Sequence, residues 1–262
     1  MPEAATRALE GQHAVVTGGG RGIGAAIANA LARHGATLTL MGRDATRLQA
    51  QVRLLGAGAR ACSVLVDVTH PASVDAAFAT AVEAAGPVHI LINNAGAVAT
   101  ASFGKTDPGL WNDMVAVNLT GTYLCCRQVV SGMLQRGYGR VVNIASTAGL
   151  TGYAYVTAYC AAKHGVVGLT RALAMETARN NVTVNAVCPG YTETDIVREA
   201  VVNIVAKTGK TEEEARTALT SRNPQGRLVR PEEVANAVLW LCLPGSEAVT
   251  GQTIAVAGGE LL

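Results

Sequence analysis

Short runs that are apolar at nearly every position alternate along this chain with longer stretches in which apolar residues return every three or four positions. The runs His13–Thr17, Thr37–Met41, Cys62–Val66, Ile90–Asn93, Arg140–Ile144, Thr183–Cys188 and Thr253–Val256 predict β-strands. Most are too uniformly apolar for a sheet with one wet face, which favours parallel strands covered on both sides. Helical spacing between them predicts a helix carrying Ile23, Ile27, Ala30 and Leu31, and others near Ala45–Leu55, Ala72–Ala85, Pro108–Met133, Ala158–Thr177 and Pro231–Leu241. The last opens with Pro231 and then Glu232 and Glu233, where the helix dipole favours acids. This order predicts an α/β fold, a doubly wound parallel sheet with helices on both faces. Ile196, Val197, Val201, Ile204 and Val205 recur at helical spacing, and Thr211 with Glu214 forms a capping-box pattern. With no linker, repeat or low-complexity stretch, residues 1–262 read as a single domain, in which a helical insertion over about 195–219 is a lid.

Composition narrows the partners. The 262 residues are 49% hydrophobic with a formal net charge of +2, which suits one large core. Arg and Lys are scattered among acids without a basic block or interleaved aromatics, so nucleic acid is not expected. The six cysteines have neither metal-ligand spacing nor the density of a small disulfide scaffold; they read as reduced, mostly buried thiols, and no metal is expected. Glu3 and Glu10 interrupt the first ten residues and no apolar signal core follows them. The uncharged stretch 141–162 is broken by Asn143, Ser146, Thr147, Gly149, Thr151, Gly152 and Thr157, which suits a buried strand entering a site loop better than a membrane span. The expectation is a cytoplasmic protein with no membrane partner.

Two segments carry chemistry. Thr17-Gly18-Gly19-Gly20-Arg21-Gly22-Ile23-Gly24 follows the first strand and opens a helix, where backbone N–H groups and the helix dipole attract phosphate. Gly18 supplies the turn's backbone angle, Gly22 a close approach for a pyrophosphate, and Gly24 tight packing of helix on strand. Glycines alone would mean only a tight turn. Farther on, Tyr159 and Lys163 are one helical turn apart. A free tyrosine titrates near about 10, and a neighbouring ammonium favours its phenolate, moving it towards a range where proton transfer is efficient. Tyr159 is then the acid for reduction and the base for oxidation. A dinucleotide site beside a proton-transfer pair points to hydride transfer. Ser146, just past the strand Arg140–Ile144, can reach from the carboxyl edge of the sheet into the crevice and hold a substrate oxygen near the tyrosine.

In order and spacing, Thr17-Gly18 with Gly22 and Gly24, Asn93-Asn94-Ala95-Gly96, Asn118, Ser146, Tyr159 with Lys163, and Pro189-Gly190 resemble the short-chain dehydrogenase/reductase family from about residue 11 onward. The segments 185–190 and 223–227, Asn-Ala-Val-Cys-Pro-Gly and Asn-Pro-Gln-Gly-Arg, are similar to those of its bacterial 3-oxoacyl reductases and polyketide ketoreductases. The resemblance implies a single Rossmann-type domain, a nicotinamide cofactor and a homotetramer assembled through the long helices and the terminal strand. It implies a catalytic set of Asn118, Ser146, Tyr159 and Lys163, with Asn118 holding a water in a proton relay through Lys163, and Lys163 also touching the ribose. Gly18, Arg21, Gly22, Ile23 and Gly24 would form the cofactor turn, while Asp67 and Val68 would meet adenine. Asn94, Ala95 and Gly96 would line the adenosine side, and Pro189, Gly190, Thr192 and Thr194 would orient the nicotinamide carboxamide and phosphates.

The second strand ends in Met41-Gly42-Arg43 where relatives that prefer NAD place an acid. Arg43, helped by Arg21, can grip a 2'-phosphate, so NADP is expected over NAD; the alternative is a solvated Arg43 beside an Asp44 that only caps the next helix. Tyr153, Tyr191, Ile196 and Val197 are the expected walls of an apolar substrate pocket, and Arg198, Lys207 and Lys210 either meet an anionic tail or form a solvated face. The expected reaction is NADPH-dependent reduction of a 3-oxoacyl thioester or related β-keto compound. Coenzyme A or no carrier is expected, because Ser131 and Met175 stand where carrier-dependent relatives have arginines, although Arg127 and Arg171 lie nearby. The alternatives are oxidoreduction of a cyclic or aromatic ketone, a nucleotide-sensing regulator, which would keep the glycine turn and lose the catalytic set, and an isomerase or lyase with a longer substrate domain.

Overall fold

Seven strands, β1 (His13–Thr17), β2 (Thr37–Gly42), β3 (Ala61–Leu65), β4 (Ile90–Asn93), β5 (Gly139–Ile144), β6 (Val182–Pro189) and β7 (Thr253–Val256), pair in parallel in the order β3-β2-β1-β4-β5-β6-β7. This computed structural model describes residues 7–56 and 58–261; residues 1–6, 57 and 262, and the side chains of Ile196, Asn203 and Lys207, lie outside the described residues. Among the described residues the helices are α1 (Gly22–Arg33), α2 (Ala45–Leu55), α3 (Pro71–Ala85), α4 (Pro108–Val115), α5 (Gly121–Arg136), α6 (Thr157–Thr177), α7 (Asp195–Thr208), α8 (Glu212–Thr220) and α9 (Pro231–Cys242).

Alternation along the strands builds two separate cores. Val16, Leu38 and Ile92 point to one face, where Ile27 and Leu31 of α1, Leu48 of α2 and Val238 and Leu241 of α9 cover them. Val15, Met41 and Leu91 point to the other, under Val74 and Phe78 of α3 and Leu124, Val129 and Met133 of α5. Every residue of β1, β4, β5 and β6 is buried, as a sheet covered on both faces requires. Each large aliphatic side chain so enclosed is worth roughly 1.5–3 kcal/mol.

Local chemistry sets the helix ends. Asp44 caps α2 by accepting from Arg47 N at 3.0 Å, and Asp107 caps α4 ahead of Pro108. Thr211 and Glu214 close the reciprocal capping box of α8, and the left-handed Gly137 (φ +65°) ends α5. The segment expected as a lid folds as α7 and α8, ending at Thr220.

Two expectations need correction. β3 begins at Ala61 and ends at Leu65, one residue earlier than the apolar run. The helix expected over Pro108–Met133 runs unbroken to Arg136 but not as a uniform α-helix: a π-turn over Ala116–Thr120 lies between α4 and α5. Asn118 sits in that turn, with its Nδ2 donating to Met114 O at 3.0 Å and to Ala97 O at 2.9 Å, so a side chain competes for the backbone that would have continued the helix.

The chain runs outward from β1 through β2 to β3 and returns to β4 on the other side of β1, so the strand order reverses between β1 and β4. The loops leaving these two strands open a crevice at the carboxyl edge, where such sheets hold ligands.

Candidate active site

The glycine turn lies on one wall of this crevice. Gly18 is left-handed (φ +64°), and a Cβ there would sit 2.8 Å from Asn94 Nδ2. At Gly24 a Cβ would overlap the Gly18 carbonyl and sit 2.6 Å from the same Nδ2, so α1 can approach the turn only without a side chain. Gly22 (φ +53°) faces the Thr194 methyl, which a Cβ there would meet at 3.2 Å, so the segment after β6 lies against the turn. Asn94 Nδ2 donates to Thr17 O at 3.0 Å and Gly18 O at 3.1 Å, while Thr17 Oγ1 accepts from the backbone N–H groups of Asn94 and Ala95, both at 3.0 Å. Asn94 thus works on the turn itself. No side chain caps α1 and no acid stands in its first turn, so Gly22, Ile23 and Gly24 present a helix N-terminus suited to an anionic phosphate. These residues fit a dinucleotide.

The proton-transfer group gathers around Gly96. A Cβ there would lie 2.8 Å from Asn118 Oδ1 and 3.7 Å from Lys163 Nζ. Asn118 and Lys163 are buried, and Lys163 Nζ donates to Ile144 O at 2.8 Å at the end of β5. Burial draws the Lys163 ammonium down to about 8. Tyr159 lies one turn back along α6, with its ring centroid 5.7 Å from Lys163 Nζ. The expected lowering of its hydroxyl by the ammonium is not what this arrangement gives. Burial pushes Tyr159 up to about 12, a hydrogen bond to Ser146 pulls the other way, and the Lys163 ammonium donates to Ile144 O. Ser146, extended after β5, accepts from Ala148 N at 3.1 Å. Between Ser146 and Tyr159, Tyr155 holds a left-handed backbone (φ +68°), a strained conformation beside the site.

At the adenosine end, Arg43 is exposed and has no ion pair among the described residues, while Asp44 is engaged with α2 and with Arg47 Nε at 3.2 Å. Arg21 is not free: its Nη1 lies 3.4 Å from Asp195 Oδ2, which also has Arg47 at 3.8 Å, and Arg198 meets the other carboxylate oxygen at 2.8 Å. Arg198 thus pairs with the acid in the first turn of its own helix, on an exposed face. Asp67 Oδ1 accepts from Thr69 N and Oγ1, bonds that hold its carboxyl below the ordinary range. Val68 is buried where Gly121 lets α5 approach. Thr192 pairs with Val229 in an isolated parallel bridge, which roots the segment from Pro189 to Thr194 at the lid's base.

A cavity of about 630 Å³ has Leu150, Tyr153, Arg222, Ala255, Glu260 and Leu261 on its walls, and Tyr153 ties it to Thr147, the residue after Ser146. Tyr153 is not the apolar wall its sequence position suggests: its hydroxyl bonds Glu260 Oε1 at 2.6 Å and Thr147 Oγ1 at 2.8 Å, and the Arg222 guanidinium stacks 4.8 Å from its ring centroid. Tyr191 is partly exposed, and burial first, then the Glu260 charge, raises its hydroxyl. Val197 is buried in α7; the Ile196 side chain lies outside the described residues. Arg222 and Glu260 have no local motif to mark them, since they meet Tyr153 from distant parts of the chain. Among the described residues there is no cluster able to hold a metal, the six cysteines are free, and no helix is long and apolar enough to cross a membrane.

A family model described as short chain dehydrogenase matches residues 12–204. A Streptomyces coelicolor protein named as a ketoacyl reductase is 43% identical over 252 residues, covering 94% of this chain and 95% of that one. A 3-oxoacyl-acyl-carrier-protein reductase of Vibrio harveyi is 37% identical, covering 96% and 98%. A variant of actinorhodin polyketide ketoreductase, solved with NADPH, superposes with a TM-score of 0.92 at 41% identity, over 98% of each chain.

Proposed function

The chain belongs to the short-chain dehydrogenase family of oxidoreductases, whose cofactor is a nicotinamide, and from that membership we propose that it reduces a 3-oxoacyl thioester or related β-keto compound to the secondary alcohol with NADPH in preference to NADH. The observation that carries this reading is the meeting of Asn118 and Lys163 at Gly96, with Tyr159 one turn from Lys163 and bonded to Ser146, in a chain that also presents a helix N-terminus free of side-chain caps. When bound, a reduced nicotinamide supplies the hydride that the carbonyl carbon takes. Ser146 Oγ donates a hydrogen bond to the carbonyl oxygen and holds it against Tyr159. Tyr159, a neutral acid in this setting, gives its hydroxyl proton to that oxygen as charge develops there. Lys163, charged below about pH 8, holds the cofactor ribose and passes the proton that Tyr159 needs. Asn118 Oδ1 and the π-turn hold the water through which the phenolate is reprotonated.

Support for NADPH comes from the exposed Arg43, from the use of Asp44 as a helix cap, and from the NADPH-bound relative. Gly18, Arg21, Gly22, Ile23, Gly24, Asp67, Val68, Asn94, Ala95, Gly96, Pro189, Gly190, Thr192 and Thr194 complete the proposed cofactor site. A small-molecule ketone carried by coenzyme A or by nothing is favoured over an acyl carrier protein by the exposed Ser131 on α5 and Met175 on α6, where carrier-dependent relatives have arginines. Trp111, Tyr123 and Trp240 are large and exposed on α4, α5 and α9, which supports the family's homotetramer, and a cytoplasmic location accords with free thiols. The test is NADPH consumption with acetoacetyl-CoA and with the same acyl group on a carrier protein. A large advantage for the carrier form removes the coenzyme A assignment, and turnover of neither removes the β-keto reading in favour of a cyclic or aromatic ketone.

A further inference from the structure

Glu260 is a carboxylate with spare bonding capacity on the wall of the cavity beside Tyr153. Tyr153 has one hydroxyl proton, and a carboxylate can only accept, so the 2.6 Å contact is Tyr153 donating to Glu260 Oε1. The 2.8 Å contact is then Thr147 donating into the Tyr153 oxygen. The chain Thr147 to Tyr153 to Glu260 begins one residue after Ser146 and fixes the carboxylate to that segment. A carboxylate has about four acceptor positions, and the described residues fill one of those on Glu260. Arg222 does not neutralise it: among the described residues the two form no ion pair, and the guanidinium lies over the Tyr153 ring. Arg222 is exposed whereas Glu260 is half-buried, so solvent screens the cation more than the carboxylate.

We propose that Glu260 is the specificity-determining residue of this cavity: it accepts a hydrogen bond from a hydroxyl at the acyl terminus of the substrate, the end away from the ester or thioester, and repels a substrate whose acyl terminus is anionic. The assignment rests on the reading of the crevice as a carbonyl-reducing site. Without a donor from the substrate the partly enclosed carboxylate loses solvation on binding, and with an anionic group it adds repulsion, so both effects favour the same substrate.

The test uses a matched series, methyl 3-oxooctanoate, its 8-hydroxy analogue and its 8-carboxylate analogue, with wild type, Glu260→Gln and Glu260→Leu. Wild type is expected to favour the hydroxyl over the methyl terminus by about tenfold in kcat/KM and to disfavour the carboxylate by at least about tenfold. Glu260→Gln should remove the carboxylate penalty while keeping part of the hydroxyl preference, since the amide oxygen still accepts. Glu260→Leu should remove both. Equal use of all three esters by wild type, preference for the carboxylate, or ratios unchanged in Glu260→Leu would overturn the proposal. Calorimetric Kd values for the three corresponding 3-hydroxy esters give the same ratios without turnover. If no ester is reduced, free β-keto esters are not substrates of the site, and the Kd ratios still decide the role of Glu260.

Discussion

At the amino edge of the sheet the buried His13 has both ring nitrogens satisfied, Nδ1 by Gly86 O at 2.8 Å and Nε2 by Thr39 Oγ1 at 2.9 Å, while its backbone N–H donates to His89 Nδ1. At the carboxyl edge the equally buried Lys163 has three ammonium hydrogens, of which the described residues take one, at Ile144 O. Burial lowers both groups. The difference is what the protein does about the cost. The histidine is kept neutral and bonded on every side, which locks strand ends together. The lysine keeps a charge near neutral pH and leaves donors for something else, which a fold tolerates only where a ligand or water completes the set.

That contrast is most directly broken at Tyr159. Tyr159→Phe should cut turnover by about 10²–10⁴-fold, the range of a lost general acid, while thermal midpoint and cofactor Kd stay close to wild type. Near-native turnover would mean another group supplies the proton. Reduction should also decline above about pH 8, where Lys163 becomes neutral, and Lys163→Arg should move that limb upward; an unshifted limb would assign it to a different group.

The next effect concerns the cofactor's far end. Arg43→Ala should weaken NADPH by about 1.5–3 kcal/mol, the usual loss of a charged hydrogen bond, and leave NADH nearly unchanged. A parallel loss with both cofactors would show that Arg43 holds something other than a 2'-phosphate.

The amino edge should respond to acid instead. His13 and His89 both bind protons less readily in the fold, because burial dominates and, for His89, Arg136 adds repulsion. An unfolded histidine takes up its proton near about 6.5, so below that pH the unfolded chain binds more protons than the native one. Stability is therefore full above about pH 6.5 and lost as pH falls below it, by at most about 1.4 kcal/mol per pH unit for each ring. Urea midpoints at pH 7.5 and 5.5 measure this, and identical midpoints would remove the amino edge as the acid-sensitive region.

The two edges also differ in how far they can be read from sequence. The uniformly apolar strands, the helix faces and the glycine turn are local patterns, and they appear in the structure nearly where periodicity puts them. The Tyr159–Lys163 spacing likewise survives as one helical turn. Two features escape because they are made by contacts across the fold. No glycine or proline marks the residues of the π-turn, whose cause is Asn118 bonding back to Met114 and across to Ala97. The Thr147–Tyr153–Glu260 chain joins residues 107 positions apart between Tyr153 and Glu260, beyond any spacing rule. Tyr159 shows the opposite limit: spacing puts a lysine one turn away, but direction decides electrostatics, and Lys163 aims at the backbone of β5.

The smallest expected effect lies where the lid meets the glycine turn. Asp195 opens α7 and draws Arg21, Arg47 and Arg198 to one carboxylate, at 3.4, 3.8 and 2.8 Å. If Arg21 serves a cofactor phosphate, it must leave Asp195 to do so, and part of the binding energy goes into breaking that pair. Exposed ion pairs of this kind are worth about 0.2–1 kcal/mol, so Asp195→Asn should tighten NADPH by at most about fivefold. The gain should shrink with added salt, because all the partners are partly exposed and screened. The substitution also removes an acid from the first turn of α7, where the dipole favours one, so the lid should become more susceptible to proteolysis without cofactor. Tighter NADPH together with a looser free lid is the signature of a competing carboxylate. Weaker NADPH would mean that Asp195 organises the arginines for the cofactor, and the carboxyl edge would then be as fully bonded in advance as the amino edge.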